Sequence, residues 1–281
     1  MALNEFTDND ESFVPVATPI DGPSEFRIPP NPMLLESISR SKAAAHLAIL
    51  VAAYMLMLAV LIAVFRIFNA GDINNAETQS KVAPLGITVA VGLTLVGIAV
   101  GLMWHSSCSA ASIGFSFSRW RIDCLWGVLV AVISFAAHFM VIGVIYVVWP
   151  ESIEQMESNP QRVLEMLPPM HPAMLALMMS LGALWEEAIF RGVLVTHLRR
   201  MTGTWSTAVL IAGCLFGVLH INIQEAIMAI PLAVLGIIWT LFMLWRRSIV
   251  ASVVGHTLFN LGQLTMIHYM SKSSSGAGLL A

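Results

Sequence analysis

The chain has 281 residues and a formal net charge of −3, and 57% of its residues are hydrophobic while only 11% are charged. Because soluble domains carry about 25% charged residues, this composition is typical of a polytopic membrane protein and excludes a soluble globular domain. No basic patch is present, so nucleic-acid binding is not expected. At about 20 residues per span, the chain has room for one helical bundle and for no large second domain.

Four segments differ in composition along the chain. Residues 1–42 are polar, acidic and rich in proline, without the regions of a signal peptide, and we expect a disordered tail. Residues 43–170 contain the first apolar runs and an acidic loop, and residues 171–270 contain the remaining runs. Residues 271–281 are rich in serine and glycine, so we expect a flexible C-terminal tail.

Apolar runs long enough to cross a bilayer follow one another from residue 43 onwards. The sequence therefore predicts an all-α transmembrane helical bundle of seven to eight spans. The candidate spans are 43–65, 84–104, 124–149, 172–198, 205–220, 225–245 and 249–269. An eighth helix, re-entrant or interfacial, is expected at 110–117 or 153–166.

The basic residues outside these spans indicate an orientation. If the spans alternate, four pairs lie on one side of the membrane: Arg40 and Lys42, Arg119 and Arg121, Arg199 and Arg200, and Arg246 and Arg247. Because cytoplasmic loops carry the excess of lysine and arginine, we expect a cytoplasmic N-terminus.

The fourth predicted span contains three charged residues, Glu186, Glu187 and Arg191. A charge at the bilayer centre costs about 2.5–3.5 kcal/mol on insertion scales, so such a cluster favours a functional site. Residues four apart share a helix face, so Glu187 can pair with Arg191 while Glu186 points elsewhere, towards a wet cavity, as a general base. The alternative is a structural polar cluster that joins helices.

Two further pairs have the same four-residue spacing, on the fifth and seventh predicted spans. Phe216 precedes His220, which closes the fifth span and could share proton transfer on a water with Glu186, while Phe216 would wall the site. His256 precedes Asn260, and both carry donors that could stabilise a developing oxyanion. Each pair alone could equally be interfacial or interhelical, but the combination favours one site.

These motifs, in this order, resemble those of the CPBP family, which groups type II CAAX prenyl endopeptidases with bacteriocin-processing and immunity proteins. The resemblance covers about residues 174–263 and nothing before residue 169. The residues that carry it are Glu186 and Glu187 with Arg191, Phe216 with His220, and His256 with Asn260.

The resemblance implies an intramembrane protease, often labelled a metalloprotease, in a bacterial cytoplasmic membrane. Its partners would be the lipid bilayer and a membrane-anchored peptide or protein substrate, prenylated or not. Glu186 and His220 would activate the hydrolytic water, and His256 with Asn260 would form the oxyanion hole. The other motif residues would support the site: Glu187, Arg191 and Phe216.

Zinc is the alternative cofactor, since Glu186, His220 and His256 form a plausible ligand set. No HExxH motif is present, and these ligands would leave Glu187, if freed from Arg191, as the nearby carboxylate base. We therefore favour a glutamate/histidine mechanism without a metal or other cofactor.

Two other classes of protein fit the same residues. A proton-coupled transporter also carries Glu, Arg and His within the membrane, but the first half of the chain has no second Glu-Glu cluster that an inverted repeat would supply. A non-catalytic immunity or scaffold protein is the other alternative. The sequence favours an intramembrane endopeptidase that acts on a membrane-associated substrate.

Overall fold

The computed structural model describes residues 38–69, 82–166, 171–221 and 224–277. All regular structure in these ranges is helical, which confirms the predicted all-α class. The α-helices are α1 (Arg40–Asn69), α2 (Val82–His105), α3 (Trp120–Val148), α4 (Ile153–Met166), α5 (Pro172–Glu187), α6 (Val195–Thr202), α7 (Trp205–Leu219), α8 (Ala229–Arg246) and α9 (Val250–Ala277).

Six helical segments among the described residues are long and apolar enough to cross a membrane, which supports an integral membrane protein. The six are Arg40–Ala63, Gly86–His105, Trp120–Val148, Pro172–Thr202, Ala226–Arg246 and Val250–Tyr269. The fifth predicted span is different, because α7 has only 15 residues. At 1.5 Å per residue α7 is about 22 Å long, which is less than the ~30 Å hydrocarbon core.

The described residues reach into both predicted tails, and one of the two candidates for an extra helix is an α-helix. The predicted N-terminal tail lies outside the described residues as far as residue 37, and α1 begins at Arg40. At the other end α9 continues to Ala277, into the segment predicted to be a tail. Of the two candidates for an extra helix, 153–166 is α4, whereas 110–117 contains only the 3₁₀ turn Ala110–Ile113.

Close contacts between helices hold together the part of the bundle that contains the motifs. A Cβ on Gly217 of α7 would lie 2.2 Å from the Ala229 carbonyl oxygen, and one on Gly255 of α9 would lie 2.5 Å from the Val130 side chain. Small residues at these positions let the helix backbones approach one another. The aromatic side chains of Phe216 and Trp239, each 1% exposed, fill the core between these helices.

Candidate active site

The first motif lies where the backbone changes its helical form. Helix α5 ends at Glu187, and Ala188–Leu194 form a π-helix before α6 begins. Such π-helical turns are rare and occur frequently at functional sites. Within this turn a Cβ on Gly192 would lie 2.7 Å from the Ile113 carbonyl oxygen, so glycine lets the 3₁₀ turn Ala110–Ile113 pack against it.

Three motif side chains from three helices meet at one point. Oε2 of Glu186 on α5 lies 3.8 Å from Nε2 of His220, at the end of α7, and 3.8 Å from Nε2 of His256 on α9. This oxygen is buried and has no hydrogen-bond partner. Because 3.8 Å is too long for a hydrogen bond and short enough for one water to contact both partners, the site is suited to binding a water molecule.

The two imidazole rings are held by their other nitrogens. Nδ1 of His220 donates to the Phe216 carbonyl oxygen at 2.7 Å, since a carbonyl can only accept. Nδ1 of His256 donates to Oε1 of Glu187 at 3.0 Å. Fixing Nδ1 in this way directs each Nε2 towards Glu186 and leaves it available for chemistry.

The predicted ion pair between Glu187 and Arg191 is present and deeply buried. Oε1 of Glu187 lies 3.1 Å from Nη1 of Arg191, and the two side chains are 0% and 1% exposed. The guanidinium lies 4.4 Å from the centre of the Phe216 ring and 5.1 Å from that of Trp239, both within the range of cation–π attraction. Phe216 therefore contacts the arginine as well as walling the site near His220.

Asn260 lies one helical turn after His256 on α9 and is partly exposed. Within the described part of the chain, no hydrogen bond engages its side-chain amide. The amide is thus available to a ligand next to His256.

The other buried histidines link helices and lie outside the site. His46 on α1 bonds through Nδ1 to Nε2 of His197 at 3.2 Å and through Nε2 to the Ser106 hydroxyl at 3.2 Å. His138 on α3 bonds to the Gln263 amide of α9 at 3.0 Å. These contacts give His46 and His138 interhelical roles outside the site.

The zinc alternative is partly compatible with this geometry. Ligands of a tetrahedral zinc lie about 3.3 Å apart, and Oε2 of Glu186 lies 3.8 Å from Nε2 of His220 and from Nε2 of His256. In the positions that the structure gives them, no three His, Cys, Asp or Glu side chains of the described ranges are close enough to hold a metal ion. The base that zinc would need, Glu187, is 0% exposed, hydrogen-bonded to His256 and ion-paired with Arg191.

The fold and the site together define an integral membrane protein with a carboxylate–histidine centre inside its helical bundle. Residues 168–262, which contain all the motif residues, match the family described as Type II CAAX prenyl endopeptidase Rce1-like. This segment, about a third of the chain, is therefore similar to a family of membrane proteases. No curated protein and no solved structure significantly matches the chain.

Proposed function

We propose that this protein is an intramembrane endopeptidase in which Glu186 is the general base. The observation that carries the proposal is the unpartnered, buried Oε2 of Glu186, which faces two histidine Nε2 atoms at 3.8 Å each. Burying a carboxylate oxygen without a partner is costly, so its retention is explained best by a reactant that binds there.

The chemistry follows from the positions of the donors and acceptors. A water held between Glu186 and His220 gives a proton to the carboxylate while its oxygen attacks the peptide carbonyl carbon. The resulting tetrahedral intermediate collapses with cleavage of the C–N bond, and the proton passes from Glu186 to the leaving nitrogen. Positioned proton transfer of this kind contributes about 10²- to 10⁴-fold to rate.

His256 and Asn260 are the proposed oxyanion hole. The Asn260 amide supplies one N–H donor. His256 donates its Nδ1 proton to Glu187, so donation from Nε2 requires a ring that carries a proton on both nitrogens. One oxyanion donor is worth about 10²- to 10³-fold in kcat.

We favour the mechanism without a metal because of the position of Glu187. If Glu186, His220 and His256 held zinc, Glu187 would be the carboxylate base, yet it lies behind His256 and is paired with Arg191. A chelator should then leave the activity of the purified protein unchanged, whereas loss on chelation and recovery with zinc would favour the metalloprotease mechanism.

The proposed substrate is a protein or peptide attached to the membrane, of the prenylated CAAX type or another type, cleaved near its C-terminus.

We further propose a bacterial cytoplasmic membrane, a cytoplasmic N-terminus and seven spans, with the short α7 as the additional one. His220, at the end of α7, then lies near the depth of Glu186, which is central in the segment Pro172–Thr202. A span that ends inside the bilayer leaves room for water above the site.

The test compares membrane proteomes from cells that carry the wild type, Glu186→Gln or Glu154→Gln. Glu154 is an exposed glutamate of α4 and provides a matched control. An uncleaved substrate should accumulate only with Glu186→Gln. Identical peptide termini in all three strains would reject the peptidase and favour the carrier or the scaffold.

A further inference from the structure

Trp239 on α8 belongs to none of the sequence motifs, yet its ring contacts two of their residues. The indole stacks on the His256 imidazole with 4.1 Å between ring centres and 25° between planes. Its ring centre also lies 5.1 Å from the Arg191 guanidinium. One buried side chain thus contacts both neighbours of Glu187.

The indole is itself fixed at its edge and through its backbone. Nε1–H donates to the Ser134 hydroxyl of α3 at 2.8 Å, and that hydroxyl donates to the Val130 carbonyl oxygen at 2.7 Å. The Ser252 hydroxyl of α9 donates to the Trp239 carbonyl oxygen at 2.9 Å. Because Ser252 lies one helical turn before His256, this bond ties the Trp239 backbone to the helix that carries the histidine.

These contacts leave His256 little freedom to rotate. One face of its ring lies on the indole, and its Nδ1 is bonded to Glu187. The stacking contact fixes the plane of the His256 ring, and the Nδ1 hydrogen bond fixes its rotation within that plane. Together they set the position of Nε2. A π face also attracts a protonated imidazole, the form that donates from Nε2.

We propose that Trp239, held by Ser134, is a positioning residue that sets the His256 ring for donation to the oxyanion. The inference rests on the proposed peptidase function. An inert core tryptophan would fill space without affecting the orientation of His256, so the two roles differ in their effect on the histidine and on kcat.

The first measurement needs no substrate. Purified protein with ¹⁵N-labelled histidine is studied in detergent micelles by NMR, and the His256 ring signals are identified by their loss in His256→Gln. Trp239→Leu should move these signals downfield, because the ring current of the stacked indole is lost. Trp245→Leu, which changes an exposed tryptophan of the same helix, should leave them in place.

The second measurement uses a fluorogenic peptide with a prenylated C-terminal motif. Trp239→Leu should lower kcat by about 10- to 100-fold with KM unchanged, the loss expected when a reacting group is misplaced. Trp239→Phe keeps an aromatic face and should recover part of this loss. Ser134→Ala removes only the partner of the indole N–H, and should shift the same signals and lower kcat less than Trp239→Leu.

The outcomes separate the inference from the function on which it rests. If the wild type does not cleave the peptide, the prenylated type of substrate is rejected, while the NMR signals still decide the contact between Trp239 and His256. His256 signals that are unchanged in Trp239→Leu, or a changed ring with unchanged kcat, would overturn the positioning role. Should Trp239→Leu fail to fold, Trp239→Phe and Ser134→Ala decide in the same way.

Discussion

Removing the charge of Arg191 alone should destabilise the protein far more than removing both charges of its ion pair. The Glu187 carboxylate is 0% exposed and lies 3.1 Å from the guanidinium. Arg191→Met keeps a long side chain against the aromatic rings of Phe216 and Trp239 but leaves the buried carboxylate without a permanent cation, with only the hydrogen bond from His256. Breaking a buried pair from one side costs about 3–5 kcal/mol.

The double variant Glu187→Gln/Arg191→Met also removes the carboxylate charge and should recover most of this loss, because replacing both partners of a buried pair is often close to neutral. Since about 1 kcal/mol corresponds to roughly 2–4 °C for a chain of this size, Arg191→Met should lower Tm by about 6–20 °C.

Thermal unfolding in detergent, followed by circular dichroism, compares Arg191→Met, Glu187→Gln, the double variant and the wild type as a double-mutant cycle. A coupling near zero, with the double variant as unstable as the sum of the single ones, would refute the argument that the pair is held by mutual compensation. An unchanged Tm for Arg191→Met would refute it as well.

The remaining predictions concern packing, interhelical contacts and chelation. Gly217→Ala should destabilise by about 1–3 kcal/mol in thermal unfolding, because the new Cβ would meet the backbone of α8, whereas Gly182→Ala has no heavy atom within 4 Å and should be neutral or stabilising. His138→Phe should cost about 1–2 kcal/mol by removing the partner of the Gln263 amide, with peptide cleavage by the folded fraction unchanged. EDTA should not reduce cleavage, and a loss that zinc restores would reject the metal-free mechanism.

Local spacing made part of the site predictable. The Glu187–Arg191 pair follows from four-residue spacing on a helix, which needs no knowledge of the rest of the fold. Six of the seven apolar runs predicted as spans are helices long enough to cross a membrane for the same reason, because length and composition are properties of each segment alone. The meeting of Glu186, His220 and His256 was predicted only from their combination on successive helices, together with the family resemblance.

Other features depend on contacts between distant segments and had no local signal. The bond from His256 to Glu187 joins residues 69 positions apart, so spacing cannot reveal it. Trp239 is one of eight tryptophans in an apolar chain, and nothing in its own segment distinguishes it from a core or lipid-facing residue. The π-helical turn after Glu187 likewise has no recognised sequence pattern, although its glycine is part of the motif region.

The short α7 also has a consequence for the surrounding lipid. Its outward side chains, including Leu210, Leu215 and Val218, are apolar and exposed. If α7 is the proposed seventh span, it is about 8 Å shorter than the acyl-chain layer, and the adjoining leaflet must thin to cover it at a modest free-energy cost for each ångström. Acyl-chain length therefore becomes a determinant of how easily a lipid-anchored molecule reaches the bundle from its α7 side, so reconstitution in thin and thick bilayers should give different rates for the same protein.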